Sequence, residues 1–536
     1  MWRWSLTPDG QRCTPLYNRC VLGRIAQETA ARFGDRPVVV TPDDTLTYAA
    51  LHTSADRTAA GLKERGLGVG SVISTVLGSC AEWAILAVAV DRVGATFAPV
   101  SPKLTAPERA ELVAIARPDL VLSDAARVGG LPLRTDVDVV AAGDRCAPLW
   151  ADGEPVDRLV GGPNGDGSTD DVDDTSRVAT ICFTSGTTGR AKGALFTVAH
   201  QLAVQSLDLG ADAESIWDGG SAMLASTQFA HVGMALKLPW YLRTGSTLYV
   251  LDPWRADDAL RLIAEHRMPT IGVVAPQLAL MLRSPLMDEL DLSCVRSIIA
   301  GGAASPPGLV AEARERFGAA YSIRYSSTES GGVGLGTSFD APDDEALHTI
   351  GRPRPGVEAR VADADDRPLP DDEVGELQIR SGAVTAGYLD DPQASAAALT
   401  NDGWLRTGDL ATRRADGCFV LAGRRTDMYI RGGYNVFPEE VEAVLSQHPS
   451  VAAVAVGARP DDVMGEVGVA VVVARDPAAP PTVDSLRAHA ADRLARHKLP
   501  EAVVVVEQLP LTTVAKIDRA ALAELIGGLP LSETGP

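Results

Sequence analysis

The sequence predicts an α/β protein: a large N-terminal domain of βα-layered sheets with a β subdomain, then a small α+β C-terminal domain. Three observations predict it. Strand-like and helix-like text alternates from Val72 onward. After Gly336 that rhythm gives way to short β runs with turn signals. Beyond Arg424 a compact mixed segment follows. A chain of 536 residues is long enough for two or more domains with a large core.

The elements follow in order. SVISTVLG reads as a strand and AEWAILAVAVDRVG as a buried helix. TFAPV is a strand, APERAELVAIA a helix and LVLSD a strand. Such βαβα alternation implies parallel sheets covered by helices. Between Ala151 and Arg177 the text turns Gly- and Asp-rich, with little to bury, and reads as a solvated loop. The rhythm resumes with a helix near Leu202 to Leu207 and the strand SAMLAST. ADDALRLIAEHR, PQLALMLR and PPGLVAEARERFG read as helices, and TIGVVAP, VRSIIAGG and SIRYSS as strands. VEARVAD and GELQIR suggest a more antiparallel subdomain up to about Leu421. In the last segment MYI is a strand and a Gly-Gly turn follows. PEEVEAVLSQH is a helix that Pro438, Glu439 and Glu440 suit at its N-terminus. VAAVAVGA, GVAVVVA and AVVVVE are strands, and TVDSLRAHAADRLARHK is one long helix.

The net charge of −21 argues against a nucleic-acid binder and a polybasic membrane anchor. MWRWSLTPDGQRC lacks a continuous apolar core, so no signal peptide is expected. No run reaches the ~18 apolar residues of a membrane span. The seven cysteines are scattered, with no CxxC, which fits a reduced, cytoplasmic chain. Cys182, inside a strand, reads as core packing.

Chemistry concentrates in ICFTSGTTGRAKGA, from Ile181 to Ala194. Glycines let backbone N–H groups approach an anion, hydroxyls add short donors, and a lysine adds a point charge. That mix reads as a polyphosphate cradle. It is not a Walker P-loop, since Ala191 precedes Lys192 and Gly193 follows it. GGAAS from Gly301 and YSSTES from Tyr325 end two further strands, where ligands bind in open α/β sheets.

FTSGTTGRAKG (Phe183 to Gly193) resembles the phosphate loop of the adenylate-forming (ANL) superfamily, in particular its acyl-CoA synthetase branch. YSSTES resembles the family's Tyr-Gly-x-Thr-Glu motif. GWLRTGDL (Gly403 to Leu410), GRRTDMYIRGGYNVFPEEVE (Gly423 to Glu442) and LPLTTVAKIDR (Leu509 to Arg519) match later motifs, in the family's order. The resemblance implies an N-terminal domain over residues 1–423 with acyl and ATP sites. It implies a hinge at 424–427, including Thr426, and a mobile C-terminal domain over 428–536.

It also implies two half-reactions. A carboxylate attacks the α-phosphate of ATP, giving acyl-adenylate and pyrophosphate; a thiol, usually coenzyme A, then attacks the acyl carbon. Thr184, Ser185, Gly186, Thr187, Thr188 and Lys192 would hold the β- and γ-phosphates. Glu329 would hold Mg2+, which takes hard oxygen ligands, and Thr328 belongs to the same motif. Asp409 would accept from the ribose hydroxyls, and Arg424 would reach the ribose or phosphate side. Gly302, Ala303 and Tyr325 would flank the adenine.

Lys516 would bridge the substrate carboxylate and the α-phosphate; read alone, it is a solvated surface lysine. Gly432, Gly433 and Tyr434 would face the pantetheine arm of coenzyme A, although Gly-Gly equally marks a hairpin turn. His231 matches a position that gates the acyl tunnel. Val232, Gly233, Met234, Val274, Ala275, Gly301, Ser330, Gly331 and Gly332 would line the acyl pocket. None of these is charged, which points to an apolar acid, bulky or cyclic, and against an amino acid.

Departures from the family pattern are Ala191, Ser326, Thr426 and Ala515. Thr426 and Ala515 touch the parts that control domain alternation, so the balance of the half-reactions is open. No carrier domain is read after Pro536, so free coenzyme A is the expected acceptor. The leading expectation is an ATP-dependent acyl-CoA ligase acting on a small-molecule carboxylic acid. A relative running mainly one half-reaction and a non-catalytic nucleotide-binding homologue are the alternatives. A homodimer is left open by the resemblance.

Overall fold

The structure is a computed structural model. It describes residues 21–124, 138–142, 175–184, 191–209, 220–302, 305–424, 427–431, 434–461, 464–512 and 516–528. Ser185, Gly186, Thr187, Thr188, Ala303, Thr426, Gly432, Gly433 and Ala515 lie outside the described residues. So does most of the Ala151 to Arg177 loop.

Five sheets organise the described residues. The largest runs in the order Asp138–Ala142, Leu120–Asp124, Val72–Val76, Thr96–Val100, Val178–Thr184, Lys192–Thr197. Its strands are parallel except the last, which returns antiparallel to Val178–Thr184 with Thr184 opposite Lys192. Two antiparallel strands therefore flank the cradle segment. The sequence reading missed this returning strand and passed directly to the helix Val198–Leu209. KGALFT alternates too weakly to announce a strand against the glycine-rich text before it.

The second large sheet has three parallel strands, Thr270–Val273, Ser297–Gly301 and Ala320–Tyr325. Two short antiparallel strands, Leu335–Gly336 and Arg352–Pro353, continue it. The helix Ala81–Arg92 is buried along its whole length, as its unbroken apolar text predicts. Its Asp91 accepts from the Leu22 and Gly23 amides at 2.9 and 3.1 Å and from Arg177 Nη2 at 2.9 Å. A single carboxylate thus ties the helix Val21–Phe33 to the start of the strand before the cradle.

The subdomain expected after Gly336 is an antiparallel sheet of Glu358–Ala362, Gly375–Arg380, Leu405–Arg413 and Phe419–Arg424. The last segment forms its own five-stranded sheet with a separate apolar core around Tyr429, Val441, Val456 and Val472. The long helix expected from TVDSLRAHAADRLARHK is shorter. It covers Val483–Ala490, and a 3-10 turn occupies Arg496–Lys498. Leu494 and Leu499 keep their burial in the turn conformation, so apolar spacing alone did not reveal the break. Cys80, Cys182, Cys294 and Cys418 are buried thiols, and burial raises the Cys182 and Cys418 pKa values.

Candidate active site

The site gathers at the ends of the two large sheets. Glu329 follows the strand Ala320–Tyr325, and its Oε1 accepts from the Tyr388 hydroxyl at 2.9 Å. The Lys192 ammonium stands 5.0 Å from the centre of the Tyr388 ring. Tyr388 thus joins Glu329 to the lysine at the cradle's exit. Burial raises the Tyr388 pKa, with the Glu329 charge adding, so its hydroxyl keeps its proton and donates. The segment carrying Tyr388 pairs with the returning strand. Ala194 bridges Tyr388, the Leu195 amide donates to the Gly387 carbonyl at 2.9 Å, and the Leu389 amide donates to Gly193 at 2.8 Å.

A second group joins the strand Ala320–Tyr325 to the subdomain sheet. The Tyr325 hydroxyl donates to Asp409 Oδ2 at 2.5 Å. Asp409 sits opposite Arg424 in the antiparallel register of the subdomain sheet. Its own amide donates to Thr407 Oγ1 at 3.1 Å, which fixes the turn that aims the carboxylate. Gly302 has φ of +76°, a conformation that suits glycine at this strand end.

The third group is His231, which immediately precedes the short helix Val232–Ala235. Burial lowers its pKa to about 4, and the charges of Lys516 and Lys103 push the same way. At neutral pH the imidazole is uncharged. Lys516 comes from the C-terminal sheet region, held in a loop closed by the Thr512 amide on the Lys516 carbonyl at 2.7 Å. Lys516 lies near enough for its charge to be felt at His231. Glu439, in the first turn of the helix Pro438–Leu445, is half-buried, and the charges of Arg519, Glu442, Asp409 and Asp427 bear on it.

The family model described as AMP-binding enzyme matches residues 26–389. Its companion, the AMP-binding enzyme C-terminal domain, matches residues 440–516.

The chain belongs to the AMP-binding enzyme family.

Membership makes it an adenylate-forming enzyme with an ATP site. It is 30% identical to an indoleacetate–CoA ligase of Aromatoleum aromaticum, over 93% of this chain and 95% of that one. It is 32% identical to a medium/long-chain-fatty-acid–CoA ligase of Mycobacterium tuberculosis, over 72% of this chain and 65% of that relative. Among solved structures, the amide bond synthetase McbA from Marinactinospora thermotolerans superposes with a TM-score of 0.82 at 27% identity. That match covers 94% of this chain and 99% of the other.

Several expected pocket residues have little surface to offer a ligand. Ser330 is fully buried, and its hydroxyl both accepts from the Ser327 amide and donates to the Ser327 carbonyl at 3.0 Å. It braces the turn in place of lining a pocket. Met234 and Ala275 are buried as well, and an added Cβ at Gly331 would lie 2.6 Å from the Ala383 carbonyl oxygen. Val232, Gly233, Val274, Gly301 and Gly332 remain half-buried and available. Thr328 keeps its turn through the Gly331 amide, 3.0 Å from its carbonyl. Arg424 and Tyr434 each lie in a strand.

Two side chains escaped the sequence reading. Tyr388 lies 59 residues from Glu329, and nothing in AGYLDDP signals that pairing. Lys237 had a signal: it is a lone charge inside the apolar run MALKLPWYL. A wall read as free of charge therefore has a lysine behind it, because the expected lining stopped at Met234.

Among the described residues, no group of three or more His, Cys, Asp or Glu side chains could hold a metal by itself. Glu329, oriented by Tyr388, fits a magnesium ion that takes one carboxylate and fills its shell with phosphate oxygens and water. That ion would neutralise phosphate charge during transfer.

Proposed function

We propose that this protein is an ATP-dependent acyl-CoA ligase. The observation that carries the reading is the Glu329–Tyr388–Lys192 array with the Tyr325–Asp409 pair, and the Lys516 charge is felt at His231. In the first step an acid carboxylate oxygen attacks the α-phosphorus. The bond to the β-phosphate oxygen breaks and pyrophosphate leaves. Lys192 and the cradle hydroxyls hold the departing charge, and Lys516 holds the carboxylate against the α-phosphate. Asp409 accepts from the ribose hydroxyls. In the second step a coenzyme A thiolate attacks the acyl carbon and AMP leaves. The hinge at 424–427 lets residues 428–536 withdraw Lys516 and bring the Gly432–Gly433 turn forward. Uncharged His231 can gate the acyl passage without repelling a cationic neighbour.

The likeness to an amide bond synthetase favours a second reading, in which an amine takes the acyl group from the same adenylate. One assay separates the two. The protein is incubated with an acid panel, ATP, magnesium and either coenzyme A or an amine, and pyrophosphate, thioester and amide are followed separately. Pyrophosphate with thioester supports the ligase. Thioester only from supplied synthetic acyl-adenylate, or amide without thioester, overturns it.

A further inference from the structure

Behind the half-buried acyl wall lies a charge cluster that an apolar substrate leaves unused. Lys237 lies two positions past the helix Val232–Ala235 and is the N-cap of the next helix, Leu238–Arg243. A methyl group at Gly332 would lie 3.5 Å from Lys237 Cε and 3.7 and 3.8 Å from the two Val232 methyl carbons. The lysine stem therefore packs against the same glycine as Val232, and glycine leaves that stem unscreened.

The ammonium stands 3.0 Å from Asp208 Oδ2. Arg354 Nη1 also donates to Asp208, on Oδ1 at 2.9 Å, and its Nη2 reaches the Leu207 carbonyl at 3.4 Å. Burial, and then the charge of Arg354, hold the Arg324 guanidinium down at about 10, while Asp208 pulls it the other way. Two cations, Lys237 and Arg354, thus share one carboxylate, and the Arg324 guanidinium lies near enough to feel its charge. The Lys237, Arg354 and Asp208 side chains are only 21%, 20% and 9% exposed. A bracing ion pair would match charges one to one, and Asp208 already has Arg354. Arg324 spends donors on the Ser322 hydroxyl and the Thr337 carbonyl. Lys237 carries three donors, and the two Asp208 oxygens do not exhaust them.

We propose that Lys237 determines acyl specificity: its ammonium meets an acceptor oxygen, a ketone or a second carboxylate, at the end of the acid remote from the reacting carboxyl. This rests on the acid-activating reading above. Val232 and Gly332 supply the apolar passage, and Lys237 supplies the polar stop at its side. Excess positive charge in a half-buried place is compensated when the acid binds.

The test uses the full chain with AMP and three acids of one skeleton: 3-cyclohexylpropanoic acid and its 4-oxo and 4-carboxy derivatives. Calorimetry reads binding, and acid-dependent pyrophosphate exchange reads activation. The oxygenated acids should bind about tenfold more tightly than the parent. Lys237→Met should erase that ratio and leave the parent acid within about twofold. Asp208→Asn, which keeps the lysine, should raise the preference for the carboxy acid above that for the ketone. Should Lys237→Met fold poorly, the double variant Lys237→Met/Asp208→Asn removes both charges together and should show the same lost ratio. Equal wild-type affinity for the three acids, an unchanged ratio in the Lys237 variants, or binding of none overturns the assignment. Discrimination that depends on Lys237 without any exchange would support the pocket assignment and sink the ligase reading alone.

Discussion

The Tyr325 hydroxyl reaches across from one sheet to Asp409 Oδ2 in another, 84 residues further along the chain, at 2.5 Å. A charge-assisted bond of that length holds the carboxylate in one orientation. Tyr325→Phe should therefore raise the KM for ATP about three- to tenfold, with a smaller change in kcat, since the lost bond aims a ribose acceptor. Asp409→Asn should weaken AMP binding by about tenfold or more in calorimetry. An unchanged affinity in both variants would remove Asp409 from the nucleotide site.

Among the described side chains, the Tyr388 hydroxyl donates to the Glu329 carboxylate. Removing a group that orients a metal ligand commonly costs about tenfold or more in metal affinity. Tyr388→Phe should accordingly shift the magnesium dependence of pyrophosphate release to higher concentration by about that factor. Saturating magnesium should restore most of the rate. A loss that magnesium cannot rescue would assign Tyr388 a different part.

Lys516→Ala should cut pyrophosphate formation by about a hundredfold or more, as loss of a charge aimed at the transferred group does. Thioester formation from synthetic acyl-adenylate should persist within about threefold. Equal loss in both assays would contradict the division of labour between the two lysines and the mobile segment.

Burial raises the Glu439 carboxyl to about 7; Arg519 opposes this, and Glu442, Asp409 and Asp427 add to it. Between the ordinary carboxyl value of 4.5 and about 7 the folded chain holds a proton there that the unfolded chain releases. This group's contribution to stability is complete below that window and falls as pH rises through it. Glu439→Gln should flatten the decline in denaturation midpoint between pH 5 and pH 7. A wild-type midpoint that rises through the same interval because of this residue, judged by its loss in the variant, would reverse the sign and refute the assignment.

Asp91 and Arg177 form a pair with both side chains 6% exposed. Asp91→Ala would leave the guanidinium buried and two helix-start amides without an acceptor. Loss of one partner from such a pair costs about 3–5 kcal/mol. Chemical denaturation should report a shift of that order, and a shift below about 1 kcal/mol would mean that water enters to replace the carboxylate.

Strand and helix text was legible wherever burial set the period, as in AEWAILAVAV and GVAVVVA. The family's ordered motifs pointed to Glu329, Asp409 and Lys516, since each is embedded in several fixed neighbours. Contacts between distant segments were not legible. Tyr388 finds Glu329 only because its segment lies along the returning strand, and Lys192–Thr197 was itself hidden beside glycine-rich text. The burial and bonding of Ser330 were not legible for a similar reason. Motif adjacency indicates proximity to a ligand, whereas the direction of a side chain in a turn depends on hydrogen bonds such as the one to Ser327. Lys237 was visible as a lone charge, but its meaning required Asp208 and Arg354, which lie 29 and 117 positions away by their numbers.

The Gly387, Tyr388 and Leu389 backbone is laced to Gly193, Ala194 and Leu195 on the strand leaving the cradle. The amides of Leu195, Ala386 and Leu389 consequently belong to one opening unit, and solvent hydrogen should enter them together. Nucleotide that grips Lys192 would slow exchange along the whole strip, including residues that never touch it. The strand that leaves the cradle and the segment that orients Glu329 thus share a local stability, and ordering one lowers the entropic cost of ordering the other.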